Sequence, residues 1–86
     1  MSDDDTAVED LRNLGPKTAV MLSALGVTCR ADIERWGSVG IFLRLRSDGA
    51  RPSLNLLYAL EGALLDRDWR DFTPEEKLVL RGALED

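Results

Sequence analysis

Between Leu14 and Gly26 the chain reads Leu-Gly-Pro-Lys-Thr-Ala-Val-Met-Leu-Ser-Ala-Leu-Gly. A proline at the first helical position, apolar residues at helical spacing and a closing glycine define a short helix entered through a tight hairpin. Such a hairpin has two uses. Its exposed amides can seat a nucleic-acid phosphate, or it can simply join two packed helices. Similar punctuation recurs along the chain, so a series of short, sharply bounded helices is expected.

A first helix is predicted from Ala7 to about Asn13, because Thr6 and Glu9 have capping-box spacing. The second starts at Pro16 with Ala19, Leu22 and Leu25 on one stripe, and ends at Gly26 with Val27 folding back as in a Schellman end. A third, capped by Thr28 or Cys29, runs through Trp36, with Ile33 and Trp36 as its core contacts. Ser38 caps a fourth over about Val39 to Arg46, buried through Val39, Phe42 and Leu45 and closed by Ser47-Asp48-Gly49. The fifth opens at Ser53 and continues through Asp66. It is apolar around most of its cylinder, which makes it central, and Gly62 within it admits a close neighbour. After a turn holding Trp69, Thr73-Pro74-Glu75-Glu76 opens a sixth helix with a cap, a proline at N1 and a glutamate at N3. That helix is expected to fray at Glu85 and Asp86. No strand pattern competes.

Composition narrows the function. The 86 residues make one domain without a membrane-length apolar run. The acidic N-terminus is unlike a signal peptide. Cys29 stands alone, so no intrachain disulfide forms and a cytoplasmic location is expected. There is no histidine, which removes Ser-His and Cys-His nucleophile pairs and imidazole metal sites. No cofactor, metal site, small-molecule substrate or catalytic constellation is expected, and an enzyme is disfavoured. The net charge of −5 lies in the first ten residues, where Asp3, Asp4, Asp5, Glu9 and Asp10 have no basic partner. The rest of the chain balances to zero and lacks the field of a strong nucleic-acid binder. Residues 1–5 are expected to form a disordered acidic tail and 6–86 the helical domain.

The hairpin frame occurs twice, at Val8, Leu11, Leu14, Gly15 and at Ile33, Trp36, Val39, Gly40. Both copies keep the second glycine of the pattern and replace the first, by Asn13 and by Ser38. Asn13 suits a left-handed bend better than Ser38 does. A phosphate-seating reading assigns Gly15 and the amides of Lys17 and Thr18 to the anion, with the Lys17 ammonium beside them and Arg12 assisting. A structural reading leaves Lys17 as a solvated first-turn residue. The missing first glycines, the lack of a basic residue at the second helix start and the neutral body favour the structural reading. Binding to DNA by one such hairpin would be weak and salt-dependent.

Leu11-Arg-Asn-Leu-Gly-Pro-Lys17, Leu25-Gly-Val-Thr28, Asp32-Ile33, Leu54-Asn-Leu-Leu-Tyr-Ala-Leu-Glu-Gly-Ala63 and Trp69 together resemble the C-terminal domain of the TfoX/Sxy family, bacterial regulators of competence for DNA uptake. The resemblance runs from about Val8 to Leu84. It implies a small all-helical unit of helix-hairpin-helix or SAM-like type, here as a stand-alone domain without the N-terminal domain of the family's regulators. It implies no catalytic or binding motif. The expectation is therefore an all-α fold of five or six short helices, tandem hairpins packed on a long apolar helix, acting as a non-enzymatic regulatory or interaction module. Its expected partner is a protein or a second copy of itself, and weak DNA-backbone contact is the alternative.

The remaining features read as structural. Arg44, Arg46 and Arg51 form the densest basic cluster, expected in surface pairs with Asp48, Glu34 or Glu61, and Arg30 and Arg35 in pairs with Asp32 and Glu34. Asp66, Asp68 and Asp71 lack the pattern of a calcium loop. Cys29 is expected to be an inert, partly buried thiol.

Overall fold

The computed structural model describes residues 5–84. The positions expected to carry most of the acidic tail and the frayed C-terminal end, Met1–Asp4 and Glu85–Asp86, lie outside them. The described residues form an all-α fold of five α-helices and two short 3-10 turns. The helices are α1 (Pro16–Ser23), α2 (Arg30–Trp36), α3 (Ser38–Ser47), α4 (Leu54–Leu65) and α5 (Pro74–Gly82), and the turns are Val8–Asp10 and Trp69–Asp71.

Local chemistry explains where the helices stop. At the end of α1, Val27 N–H donates to Leu22 carbonyl (3.1 Å) and Gly26 N–H to Ser23 carbonyl (3.0 Å), a Schellman end with Gly26 at φ +80°. Val27, carried back by that turn, is fully buried. The end of α3 repeats the device through Gly49 and Ala50. At the start of α5, Thr73 hydroxyl accepts from Glu76 N–H (3.1 Å) while Glu76 carboxylate accepts from Thr73 N–H (3.0 Å), closing a full capping box. The end of α4 uses a non-glycine residue: Asp66 takes φ +53°, one residue after the helix ends.

The first expected helix is not there. Instead of Ala7 to Asn13, only the turn Val8–Asp10 is helical, and it is 3-10. Its backbone is occupied otherwise. Val8 N–H donates to Thr28 carbonyl (3.2 Å) and Thr6 carbonyl accepts from Arg30 N–H (2.9 Å), an isolated antiparallel bridge at Ala7 and Cys29. The Thr6 carbonyl, taken by Arg30, is the acceptor that a helix starting at Ala7 would need for its first bond. Asn13 then bends the chain at φ +73°, the left-handed role the sequence suggested for it.

Helix α4 divides the interior. Leu60 joins Val8, Leu22, Val27, Ile33, Ile41 and Leu45 in an aliphatic cluster. Leu57 and Tyr58 join Phe42 and Phe72 in an aromatic one, with Leu80 and Leu84 packed against it. The central place expected for this helix is realised, although its ends surface: Leu54 is 40% and Leu65 54% exposed. Trp36, expected in the core, lies at the surface.

The two hairpin frames are not in register. Gly15 is the N-cap of α1, but Gly40 lies inside α3, and Gly37, at φ +78°, is the residue that turns α2 into α3. Ser38 is accordingly the first residue of α3 rather than its cap. The turn needs φ > 0 at one residue, and of Gly37 and Gly40 only the former lies at the junction of the two helices.

Candidate functional site

The start of α1 holds three of the four residues assigned to a phosphate. Gly15 caps it in an extended conformation, without side-chain help, and Pro16 occupies N1. Lys17 is exposed and Thr18 half-buried in the first turn. The fourth, Arg12, is turned away. Its guanidinium donates to Asp66 carbonyl at 3.2 Å and lies 3.9 Å from the Asp66 carboxylate. Arg30 does the same work next to it, donating to Leu64 carbonyl at 2.7 Å and pairing with Glu34. Both cations therefore cover the carbonyl end of α4, where positive charge is favoured.

The basic cluster separates in the fold. Arg44 pairs with Asp48 at 3.1 Å, and the Arg46 guanidinium lies 5.9 Å from the centre of the Phe42 ring. Only Arg51 reaches the neighbourhood of α1: it lines a shallow groove of about 420 Å³ together with Thr18, Met21, Ser53 and Asn55. At the second hairpin the start of α3 faces a carboxylate. Ser38 hydroxyl donates to Glu61 at 3.4 Å, which opposes a phosphate there.

A tighter construction adjoins that groove beside α1, which Asn13 and Trp69 also line. Asn13 amide donates to Arg67 carbonyl (2.7 Å) and accepts from Trp69 N–H (3.4 Å), tying the first loop to the connection between α4 and α5 across 54 and 56 positions. Gly62 makes this possible: a Cβ there would lie 2.5 Å from the Asn13 amide nitrogen and 2.6 Å from Arg67 carbonyl. The sequence announced a close neighbour at Gly62 but not which one, because no local signal links Asn13 to position 67. Trp69 stacks on Tyr58 with ring centres 6.3 Å apart, and the Lys77 ammonium sits 5.4 Å and 5.5 Å from the two ring centres. Arg67 lies over Phe72 at 4.7 Å and binds Glu76 with both terminal nitrogens, at 2.6 and 3.3 Å.

These contacts set the electrostatics. The Arg67 hydrogen bond, aided by Thr73 N–H, holds the Glu76 carboxyl at about 2. Hydrogen bonds from the Arg70 side chain and amide hold Asp68 at about 2. Asp32 is also lowered, chiefly by accepting from Thr28 N–H at the entrance of α2. Cys29, half-buried at that entrance, donates from its thiol to the same carboxylate at 3.6 Å. Asp66 and Asp68 thus answer arginines, and among the described residues no group of three acidic or thiol side chains is arranged to hold a metal.

The most exposed apolar surface outside α1 lies on α4 and α5. Leu65, Phe72, Val79 and Leu80 line an open cleft of about 230 Å³ whose rims carry Glu61 and Glu76. Val79 is 74% and its neighbour Leu78 60% exposed. Among the described residues no helix is long and apolar enough to cross a membrane.

Comparison with known proteins agrees with this architecture. The family model for the TfoX C-terminal domain matches residues 4–84. A solved structure of an uncharacterized protein from Listeria monocytogenes is similar to this chain at a TM-score of 0.82 and 25% identity, covering 93% of this chain and 91% of that one. No curated protein matches. The chain belongs to the TfoX C-terminal domain family, whose model matches nearly the whole of this chain.

Proposed function

We propose that this TfoX C-terminal domain is a non-enzymatic regulatory module that works by protein contact. The observation that supports the reading most is the apolar surface of α4 and α5, where Leu65 and Val79 line one cleft and Leu78 adjoins it, all more than half exposed. Neighbouring apolar side chains left in water in this way mark contact surfaces more often than isolated ones do. The described residues carry 12 acidic and 11 basic side chains, a near balance that fits recognition by shape and burial better than recognition of a polyanion. The family's link to competence for DNA uptake suggests the regulatory setting without supplying a residue-level mechanism.

A photo-reactive residue placed singly at Leu65, Val79 or Lys17 and activated in living cells tests the reading. Discrete protein adducts from Leu65 and Val79 are expected. No adduct from either position, with nucleic acid captured at Lys17, would overturn it.

A second reading rests on the free amides of Lys17 and Thr18 at the start of α1, with Arg51 across the adjoining groove. It assigns the domain weak, sequence-independent contact with the DNA backbone through Gly15, Lys17 and Thr18. Fluorescence anisotropy with duplex DNA decides it: binding at low salt should fall steeply as salt rises and be lost in Lys17→Glu. Absence of low-salt binding removes this reading.

A further inference from the structure

We infer that the outer face of α5 is a self-complementary surface that pairs with α5 of a second copy of this chain, antiparallel and across a two-fold axis near Leu78. The inference deepens the protein-contact reading above and rests on it, by naming the face and its occupant.

Helix α5 is divided cleanly. Glu76, Lys77 and Leu80 turn inward and are half-buried, whereas Pro74, Glu75, Leu78, Val79, Arg81 and Gly82 are exposed. The exposed set has a charge pattern of its own. Glu75 lies three positions before Leu78 and Arg81 three positions after it, and among the described residues neither side chain has an ion-pair partner. The other two charges of the helix are already engaged: Glu76 binds Arg67, and Lys77 lies over Tyr58 and Trp69. The outer face therefore presents one acid, an apolar centre and one base in a row.

Such a row complements itself in one orientation. Two copies laid antiparallel about Leu78 set Glu75 of each against Arg81 of the other, both about 4.5 Å along the helix from the axis. The parallel arrangement sets Glu75 against Glu75 and Arg81 against Arg81, which is repulsive. A two-fold contact uses the same patch on both copies and therefore requires this kind of self-complementarity. The same register brings Gly82 of one copy opposite Pro74 of the other, and Gly82 has no side chain to hold the helices apart. Leu78 and Val79 supply the apolar centre.

The size of the face sets the strength. Nine residues of helix extend only about 13 Å, so the contact falls below the roughly 800 Å² per partner of a standard interface. A weak, concentration-dependent dimer follows.

Sedimentation velocity on the full chain, from low micromolar to millimolar protein, tests this. The weight-average mass should rise toward that of a dimer with concentration. Leu78→Asp should abolish the rise. Glu75→Arg alone and Arg81→Glu alone should each weaken association about tenfold, and the two together should restore it. All three side-chain changes are at exposed positions, and far-UV circular dichroism verifies that each variant is folded. A chain that stays monomeric throughout overturns the inference. So does a dimer indifferent to Leu78→Asp, or single reversals that the double variant fails to rescue. A monomeric chain that still yields protein adducts from Val79 in cells defeats the dimer while leaving the contact reading in place, and absence of both defeats the two together.

Discussion

Tyr58 and Leu60 sit two residues apart on α4 and face unlike surroundings. Leu60, fully buried, meets Val8, Leu22, Val27, Ile33, Ile41 and Leu45, all aliphatic and closely covered. Tyr58 meets Phe42, Phe72 and Trp69, with Lys77 over its own ring and Trp69, Arg67 over Phe72 and Arg46 over Phe42. Helix α5, which closes the aromatic side, has no buried residue at all. It is held by half-buried leucines, a capping box and the Arg67–Glu76 pair. The aliphatic side depends on filled volume. The aromatic side adds two carboxyls held at about 2, and so is expected to respond to acid more than the other side does. Asp32 is the nearest equivalent in the N-terminal half, but its hydrogen bonds stay within the entrance of α2 and join no separate elements.

The largest effect is expected where volume alone operates. Leu60→Ala should lower the unfolding free energy by about 3 kcal/mol, combining lost burial with a cavity that a close-packed aliphatic cluster fills poorly. Leu80→Ala, at a half-buried position on α5, should cost about 1 kcal/mol because water can reach the space it leaves. Urea denaturation of the two variants measures the contrast, and equal losses would erase the distinction between the two sides. Gly62→Ala comes between them. Helix propensity alone favours alanine by about 1 kcal/mol. The added carbon, however, would meet the Asn13 amide at 2.5 Å and Arg67 carbonyl at 2.6 Å. Displacing them breaks the hydrogen bond that ties Asn13 to the connection between α4 and α5, and a net loss of about 2 kcal/mol is expected. A stabilised variant would show that the clasp is loose.

The same division explains what the sequence disclosed. Helix ends governed by a few neighbouring residues were legible: Gly26 with Val27, Gly49, and Thr73-Pro74 through Glu76 all act where they were expected. Arg30 with Glu34, Arg35 with Asp32 and Arg44 with Asp48 also pair as one-turn neighbours. What depended on distant partners was not legible. Thr6 and Glu9 have the spacing of a helix start, yet residues 28–30 claim the backbone there. Arg12 looked free to assist a phosphate, yet the end of α4, 54 positions on, takes its guanidinium. Gly37 ends α2 as its position after Trp36 suggested, but the hairpin frame gave the turn to Gly40, which lies inside α3. The α1 start remains the one place where the residues assigned to an anion, Gly15, Lys17 and Thr18, lie together.

Acid offers the finest probe of the two sides, because Glu76 and Asp68 flank the aromatic one. Both carboxyls are held at about 2, against ordinary values of 4.5 and 3.8. A carboxyl lowered in the folded state favours that state fully above its ordinary value, and the contribution fades as pH falls toward the folded value. Between about pH 4.5 and pH 2, therefore, Arg67 loses its partner and the capping box loses its charge. The two tryptophans separate the responses. With Trp36→Phe, Trp69 alone reports, and its emission should shift as α5 loosens from Tyr58 and Trp69. With Trp69→Phe, Trp36 at the end of α2 should move little over the same range. Glu76→Gln should show part of the Trp69 shift already at neutral pH and a smaller acid step. These changes are small, since the Arg67 and Glu76 side chains are each more than a third exposed and solvent screens their attraction. If Trp36 and Trp69 titrate with one midpoint, the two sides of α4 loosen as a unit and the charges near α5 do not set it apart.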